Sequence, residues 1–478
     1  MKIAMVASEA LPFCKTGGLA DVAYSLSKEL AVMGEEVYII MPFYKQIKDK
    51  HNPDTKLVSS FPIQMSWRAN TANVYVTYVS GITYYLIECD QYFARGGLYG
   101  EMDDMERFAF FTLATRELFY RLNLKPDIIH IHDWHPGMLA ALIREDNYAR
   151  EYFKNTKLCL SIHNSAFQGL IDRYFLANFY GLSDELYDSG KVRFNGMVST
   201  LKAAIMYCDK IITVSPNNRG ELLSVEGGMG LDSVLQFRRD DFLGILNGID
   251  YLEFDPAKDE VIPFNFNAVN FFKVKAQDKA ALFDELHIKD FGQPCFSIVS
   301  RLTWQKGLDL CLPTFEELAR RGCNIIVLGS GEYRYEQQLE QLRAKYPENV
   351  AIYIGYNDAL AHKIYASSDF FLMPSLFEPC GLGQMIAQRY GTLPIVRYVG
   401  GLKDSVIGYD NTNLESANGF GFYDYTIDAL KNTCIYALGV YHDVVTRKQL
   451  MKNALKTNNS WKKSAKEYLL VYKNLLNK

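Results

Sequence analysis

No apolar run in this chain approaches the ~20 residues that a membrane-crossing helix needs, and no basic block marks a nucleic-acid surface. The formal net charge is only −4, so a small anionic ligand would have to be held by a few placed cations. Nine cysteines are scattered without a C-x-x-C pair, several of them inside apolar runs such as "KLCLSIHN" and "CFSIVSR". That excludes a disulfide framework and fits buried thiols in a reducing compartment. Low-complexity tracts and 20–50-residue repeats are also missing. The opening "MKIAMVASEA" carries one lysine and a short apolar run broken by Glu9. It is too short for a secretory signal and reads as a buried strand. The expected location is the cytoplasm, with neither membrane nor nucleic acid as a partner.

What is present is length and rhythm. A chain of 478 residues exceeds the ~250–300 at which single cores stop growing, so two domains are expected. Short apolar runs alternate with helix-patterned segments: "KIAMVAS", "EEVYIIMP", "PDIIHIH", "KLCLSIH" and "DKIITVS", then "FSIVSRL", "NIIVLGSG", "VAIYIGY", "DFFLMPS" and "LPIVRYVGG". Runs this continuous belong to strands covered on both faces, the pattern of a doubly wound parallel sheet. Between the two sets lies a loop-rich stretch ending near residue 265. The reading is α/β, with two Rossmann-like domains facing a deep cleft. The first spans 1–243 and the second 244–458. A closing amphipathic helix, 459–478, could pack on either by pattern alone. Ligands of such sheets sit beyond the carboxyl ends of the strands, so polar residues just after strands are the candidates.

In "KTGGLADV", Lys15, Gly17, Gly18 and Asp21 stand at the turn from the first strand into the first helix. The dinucleotide fingerprint and the Walker loop are both absent. What remains is a helix N-terminus suited to phosphate, with glycines that admit close approach and a lysine for charge. "HIHDWH" gathers His130, His132, Asp133 and His135, and "SIHN" ends another strand with His163 and Asn164. The first cluster reads either as part of a metal site or as a polar strand end meeting a hydroxyl-rich ligand. In "SRLTWQKGLD", Arg301 and Lys306 form a fork and a point charge suited to a diphosphate. "SLFEPCGLGQM" places Glu378, Cys380 and Gly381 between a strand and a helix, where a carboxylate can accept from sugar hydroxyls.

In order along the chain, "KTGGLADV", "HDWH", "HNSAFQG", "SRLTWQKG" and "EPCGLGQMIAQRYGTLPIVRYVGG" resemble the bacterial glycogen synthase and plant starch synthase family over essentially the whole length. The resemblance implies the GT-B fold, with the last helix returning to the first domain. It implies retaining transfer of glucose from ADP-glucose to the non-reducing end of an α-1,4-glucan such as glycogen, without metal or other cofactor. Lys15, Arg301 and Lys306 would then face the donor diphosphate and Glu378 the donor sugar. His163 would meet the glucose 6-hydroxyl through its side chain. Asp133 and Asn247 (in "NGID") would lie near the transferred sugar and acceptor, and Tyr92 in "YFARGGLYG" on the acceptor side. Two departures stand out. Met385 occupies the place, seven residues after Glu378, where many GT-B enzymes carry a second glutamate, although this family usually lacks it. Gly383 stands where the family more often has a small hydroxyl or amide residue.

The chemistry agrees independently. Breaking an anomeric C–O bond loads charge onto the leaving diphosphate, and one preorganised donor there can be worth about 3–4 kcal/mol. A double-displacement site needs two carboxylates about 5 Å apart, and Glu378 has no obvious partner, which favours front-face displacement. Rival readings are a GT-B enzyme using a UDP-sugar, a non-catalytic glucan-binding protein, and a metallohydrolase built on "HIHDWH".

Overall fold

The computed structural model describes residues 1–51 and 54–477. It divides into two units, Met1–Ile245 with Ser464–Lys478, and Leu246–Lys463.

The first unit is built on a nine-stranded sheet and also carries a small three-stranded antiparallel one formed by Leu170–Ile171, Met197–Ser199 and Arg193–Phe194. The strands of the large sheet are β1 (Lys2–Val6), β2 (Glu36–Pro42), β3 (Lys56–Met65), β4 (Arg68–Val79), β5 (Ile82–Glu88), β6 (Ile128–His132), β7 (Lys157–Ile162), β8 (Lys210–Thr213) and β9 (Phe242–Gly244). Their order is β9-β8-β7-β6-β1-β2-β5-β4-β3. All ladders of this large sheet are parallel except those of the β3–β4 hairpin and its junction with β5. Ile3, Ala4, Met5 and Val6 of β1 are wholly buried, as a central strand covered on both faces requires. Helix α1 (Gly18–Val32) follows β1 and buries Leu19, Val22, Ala23, Leu26 and Leu30, one stripe at helical spacing. Gly34, at φ +91°, ends it by donating its N–H to the Ala31 carbonyl. The last helix, Trp461–Leu476, buries Ala465, Tyr468, Tyr472 and Leu475 along one face. The Tyr472 hydroxyl reaches His130 Nδ1 at 2.6 Å, so this helix completes the core of the first unit.

The second unit carries β10 (Cys295–Val299), β11 (Asn324–Gly329), β12 (Val350–Ile354), β13 (Phe370–Met373), β14 (Leu393–Arg397) and β15 (Phe420–Phe422). The order is β12-β11-β10-β13-β14-β15, parallel throughout. Counted within the unit this is 3-2-1-4-5-6, the nucleotide-binding arrangement. The parallel part of the first sheet has the same centre, with β1 between β2 and β6. Strand order therefore reverses between β1 and β6 in one unit and between β10 and β13 in the other. At such a point neighbouring connections leave on opposite faces and open a crevice for ligand.

Candidate active site

At the first switch point the chain leaves β1 through Ser8 and Glu9, both almost fully buried. One Glu9 carboxylate oxygen accepts from the Thr16 N–H at 2.6 Å and the Thr16 hydroxyl at 2.8 Å. This acid folds the loop back and presents Lys15, Gly17 and Gly18 at the start of α1. Burial pushes the Glu9 carboxyl up, while the Thr16 and Gly17 donors oppose that shift. Lys15 Nζ lies 2.8 Å from Asp21 Oδ1, with the lysine side chain half exposed. The Asp21 carboxyl is also raised, first by desolvation and against the pull of Lys15. A Cβ added at Gly17 or Gly18 would meet nothing within 4 Å, and neither residue has a positive φ. The fold itself does not demand glycine there, so the open space at both positions is available to a ligand.

Across the switch point, β6 ends in His132 and β7 is followed by His163. Asp133 sits at φ +58°, a conformation that aspartate tolerates. Its carboxylate accepts the backbone N–H of His163 at 2.7 Å and of Asn164 at 3.4 Å. Burial lifts its pKa to about 7. His132 Nδ1 is 3.0 Å from His163 Nε2. His130 uses both ring nitrogens, one on Tyr472 and one on the Ser161 hydroxyl at 2.8 Å. Desolvation drives His130 and His135 down to about 3, His163 to about 4, and His132 well below the ordinary imidazole value. These rings are neutral at pH 7. His132 and His163 bond to one another and His130 to two hydroxyls, and among the described residues no group of three or more His, Cys, Asp or Glu could hold a metal ion.

In the second unit, Arg301 and the turn Trp304–Lys306 follow β10, ahead of helix α2 (Leu308–Arg320). The loop after β13 brings Ser375 and Glu378. Lys306 Nζ donates to Glu378 Oε2 at 2.5 Å, and the Ser375 hydroxyl donates to the same oxygen at 3.0 Å. Both donors fall on Oε2. Oε1 has no donor among the described residues and stays open to accept from a ligand hydroxyl. The two loops are also stitched through backbone: Leu376 N–H reaches the Gln305 carbonyl at 2.9 Å, and Arg397 donates to the Leu376 carbonyl at 2.8 Å. Arg301 is exposed and faces no carboxylate partner among the described residues. The backbone N–H of Asn247 donates to the Cys380 thiol, whose pKa burial pushes up to about 12. The Asn247 Oδ1 is buried without a donor. Gly381, at φ +73°, makes the turn into helix α3 (Gly383–Arg389).

Thus the structure gathers Lys15, Gly17, Gly18, Asp21, Asp133, His163 and Asn164 at one switch point. Arg301, Lys306, Glu378, Cys380, Gly381 and Asn247 gather at the strand ends of the other unit. Tyr92 is the correction. It has no accessible surface, and its hydroxyl donates to Glu106 at 2.6 Å, so it packs the unit rather than touching a ligand. Three residues with clear roles escape a sequence reading: Glu9, Ser375 and Arg397. The only signal for Glu9 was an acid closing an apolar strand. At Gly383 an added Cβ would stand 2.9 Å from the Phe371 ring, so the missing side chain there is a matter of packing. Met385 is fully buried.

Two Rossmann-type units with polar residues at both switch points define the GT-B glycosyltransferase fold. A sucrose-phosphate synthase from Thermosynechococcus elongatus shares it at 17% identity, with a TM-score of 0.63 over 100% of this chain and 99% of its own. The catalytic domain of starch synthase IV from Arabidopsis thaliana, solved with ADP and acarbose, is similar at 32% identity. Its TM-score is 0.91, covering 100% of this chain and 99% of that one. Residues 2–237 match the family described as starch synthase catalytic domain, and residues 283–457 match glycosyl transferases group 1. Glycogen synthases of Clostridium kluyveri and Bacillus anthracis are 42% and 41% identical, each over 100% of both chains. The chain belongs to the glycogen synthase and starch synthase family of glycosyltransferases.

Proposed function

We propose that this protein transfers glucose from ADP-glucose to the non-reducing end of an α-1,4-glucan with retention of configuration. The observation that carries the reading is the cluster of Lys306, Glu378 and Ser375 beside the exposed, carboxylate-free Arg301. Two cations at the second unit's switch point suit a diphosphate. A carboxylate with one oxygen pinned and one open suits a sugar hydroxyl. The likeness to a starch synthase solved with ADP and to glycogen synthases supports the donor and acceptor.

Each residue then has a task. Arg301 and Lys306 bind the diphosphate and stabilise the charge that grows as the anomeric bond breaks, acting where charge develops. In the first unit Lys15 supplies a cation, and the open faces of Gly17 and Gly18 let α1 present its N–H groups to an anionic ligand. Glu378 Oε1 orients the transferred glucose. His163 and Asn164, held by Asp133 through their backbone, contact the sugar, and Asn247 Oδ1 is a further acceptor. No second carboxylate is assigned as a nucleophile, so the acceptor hydroxyl attacks from the face the diphosphate leaves, with that phosphate taking its proton. No metal is needed in this scheme. Nine buried, unpaired cysteines fit a cytoplasmic setting.

The test is incorporation of label into glycogen from ADP-[14C]glucose, with UDP-[14C]glucose as the competing donor and EDTA in both. Incorporation from ADP-glucose is expected. Preference for UDP-glucose would move the assignment to another member of the fold, and no incorporation from either would overturn it.

A further inference from the structure

His132 lies wholly buried and makes one hydrogen bond among the described residues, from Nδ1 to His163 Nε2 at 3.0 Å. The two rings are within 20° of parallel. Its other nitrogen, Nε2, is buried with no partner. The neutral ring can carry its proton on either nitrogen. With the proton on Nε2, a buried N–H has no acceptor. With the proton on Nδ1, the N–H is used on His163 and only a lone pair is left unmatched. Orphaned buried N–H groups are the rarer of the two, so Nδ1–H is the form this pocket selects. His163 must then accept at Nε2 and carry its own proton on Nδ1. That nitrogen has no partner among the described residues, and His163 is only half-buried.

We propose that His132 is a positioning residue that holds His163 in its Nδ1–H tautomer, making it an obligatory hydrogen-bond donor to a hydroxyl oxygen of the transferred sugar. This rests on the reading above, in which His163 contacts that sugar. Three constraints act together: Asp133 grips the backbone N–H of His163, His132 orients the ring, and the shared bond fixes which nitrogen donates. A hydroxyl can give or receive, so an unrestrained imidazole would admit two bonding patterns. A locked one admits one.

Nitrogen-15 NMR of histidine-labelled protein tests this directly, with the His163 signals assigned by their loss in His163→Gln. In the parent, the His163 Nδ1 shift should be that of a protonated nitrogen and Nε2 that of a bare one. In His132→Phe, which keeps a ring but no donor, that assignment should collapse toward a mixture of tautomers. In His132→Asn, whose amide places an N–H near the former Nδ1, it should return. Transfer activity should follow: kcat down about tenfold in His132→Phe, the scale of one misdirected hydrogen bond, and largely restored in His132→Asn. A bare Nδ1 on His163 in the parent protein overturns the proposal without recourse to any variant. If the tautomer is as stated but neither variant alters turnover, it is the contact between His163 and the sugar that fails.

Discussion

The Lys306–Glu378 pair can be dissected by removing one charge and then the other. Its side chains are 17% and 10% exposed and meet at 2.5 Å. Losing one partner of a fully buried pair is worth about 3–5 kcal/mol, and an exposed pair at most about 1. This pair lies nearer the buried end, so Lys306→Met should destabilise the protein by about 2–3 kcal/mol, leaving Glu378 with Ser375 alone. Adding Glu378→Gln removes the stranded charge, and stability should return to within about 1 kcal/mol of the parent, because a neutral amide tolerates the site far better. Turnover should behave differently. Loss of a cation aimed at developing charge costs about 3–4 kcal/mol of barrier, so Lys306→Met should lose roughly a hundredfold to a thousandfold in kcat, and the double variant should recover none of it. Urea midpoints give the first quantity and glucose transfer to glycogen the second. Activity returning along with stability in the double variant would refute the assignment, since Lys306 would then serve only to hold Glu378.

Gly18→Ala should leave stability unchanged or raise it by up to about 1 kcal/mol, because alanine is the better helix former and its Cβ meets nothing. It should nonetheless lower kcat/KM at least tenfold; a loss of Tm with normal turnover would make the glycine structural. For Asp133, whose pKa burial lifts from 3.8 to about 7, the folded chain keeps a proton between about pH 4 and 7 that the unfolded chain has lost. The stability from this group is therefore greatest in acid and is lost as pH rises toward 7. Asp133→Asn mimics the protonated form throughout, so its advantage over the parent should open from near zero at pH 4 to its full size above pH 7. A pH-independent gap between the two urea midpoints would contradict this.

Most of the parallel core was legible because its strands carry unbroken apolar runs, as in "IAMV" of β1 and "IIVL" of β11. β3 and β4 escape that reading because they alternate: Phe61, Ile63 and Met65 are buried while Pro62 and Gln64 are exposed. Their period-2 signal belongs to an edge hairpin with one open face. Strand order was not legible at all, since β1 pairs with β6 across more than a hundred residues and no local pattern encodes such a partner. Within the site, residue type and position announced Lys15, Arg301, Lys306 and Glu378, because cations and acids after buried strands have few other reasons to be there. Tyr92 is assigned to the acceptor side only through the resemblance of "YFARGGLYG"; no local pattern announces that burial turns its ring inward and that its hydroxyl donates to Glu106. The pairing of His132 with His163 was hidden for a different reason: it depends on β6 and β7 lying in register.

The last helix also constrains how the molecule can be made. Tyr472 lies 342 positions after the histidine it bonds, and the whole second unit is synthesised between them. While a ribosome is still producing Leu246–Lys463, the first unit waits with the face that buries Tyr468 and Tyr472 uncovered. Unit order in folding therefore need not follow unit order in synthesis: the second can close as soon as it emerges, and the first is sealed only afterwards. A nascent chain stalled near residue 460 would hold an open gap beside His130, where Tyr468 and Tyr472 later pack, a surface in need of shielding from aggregation during translation.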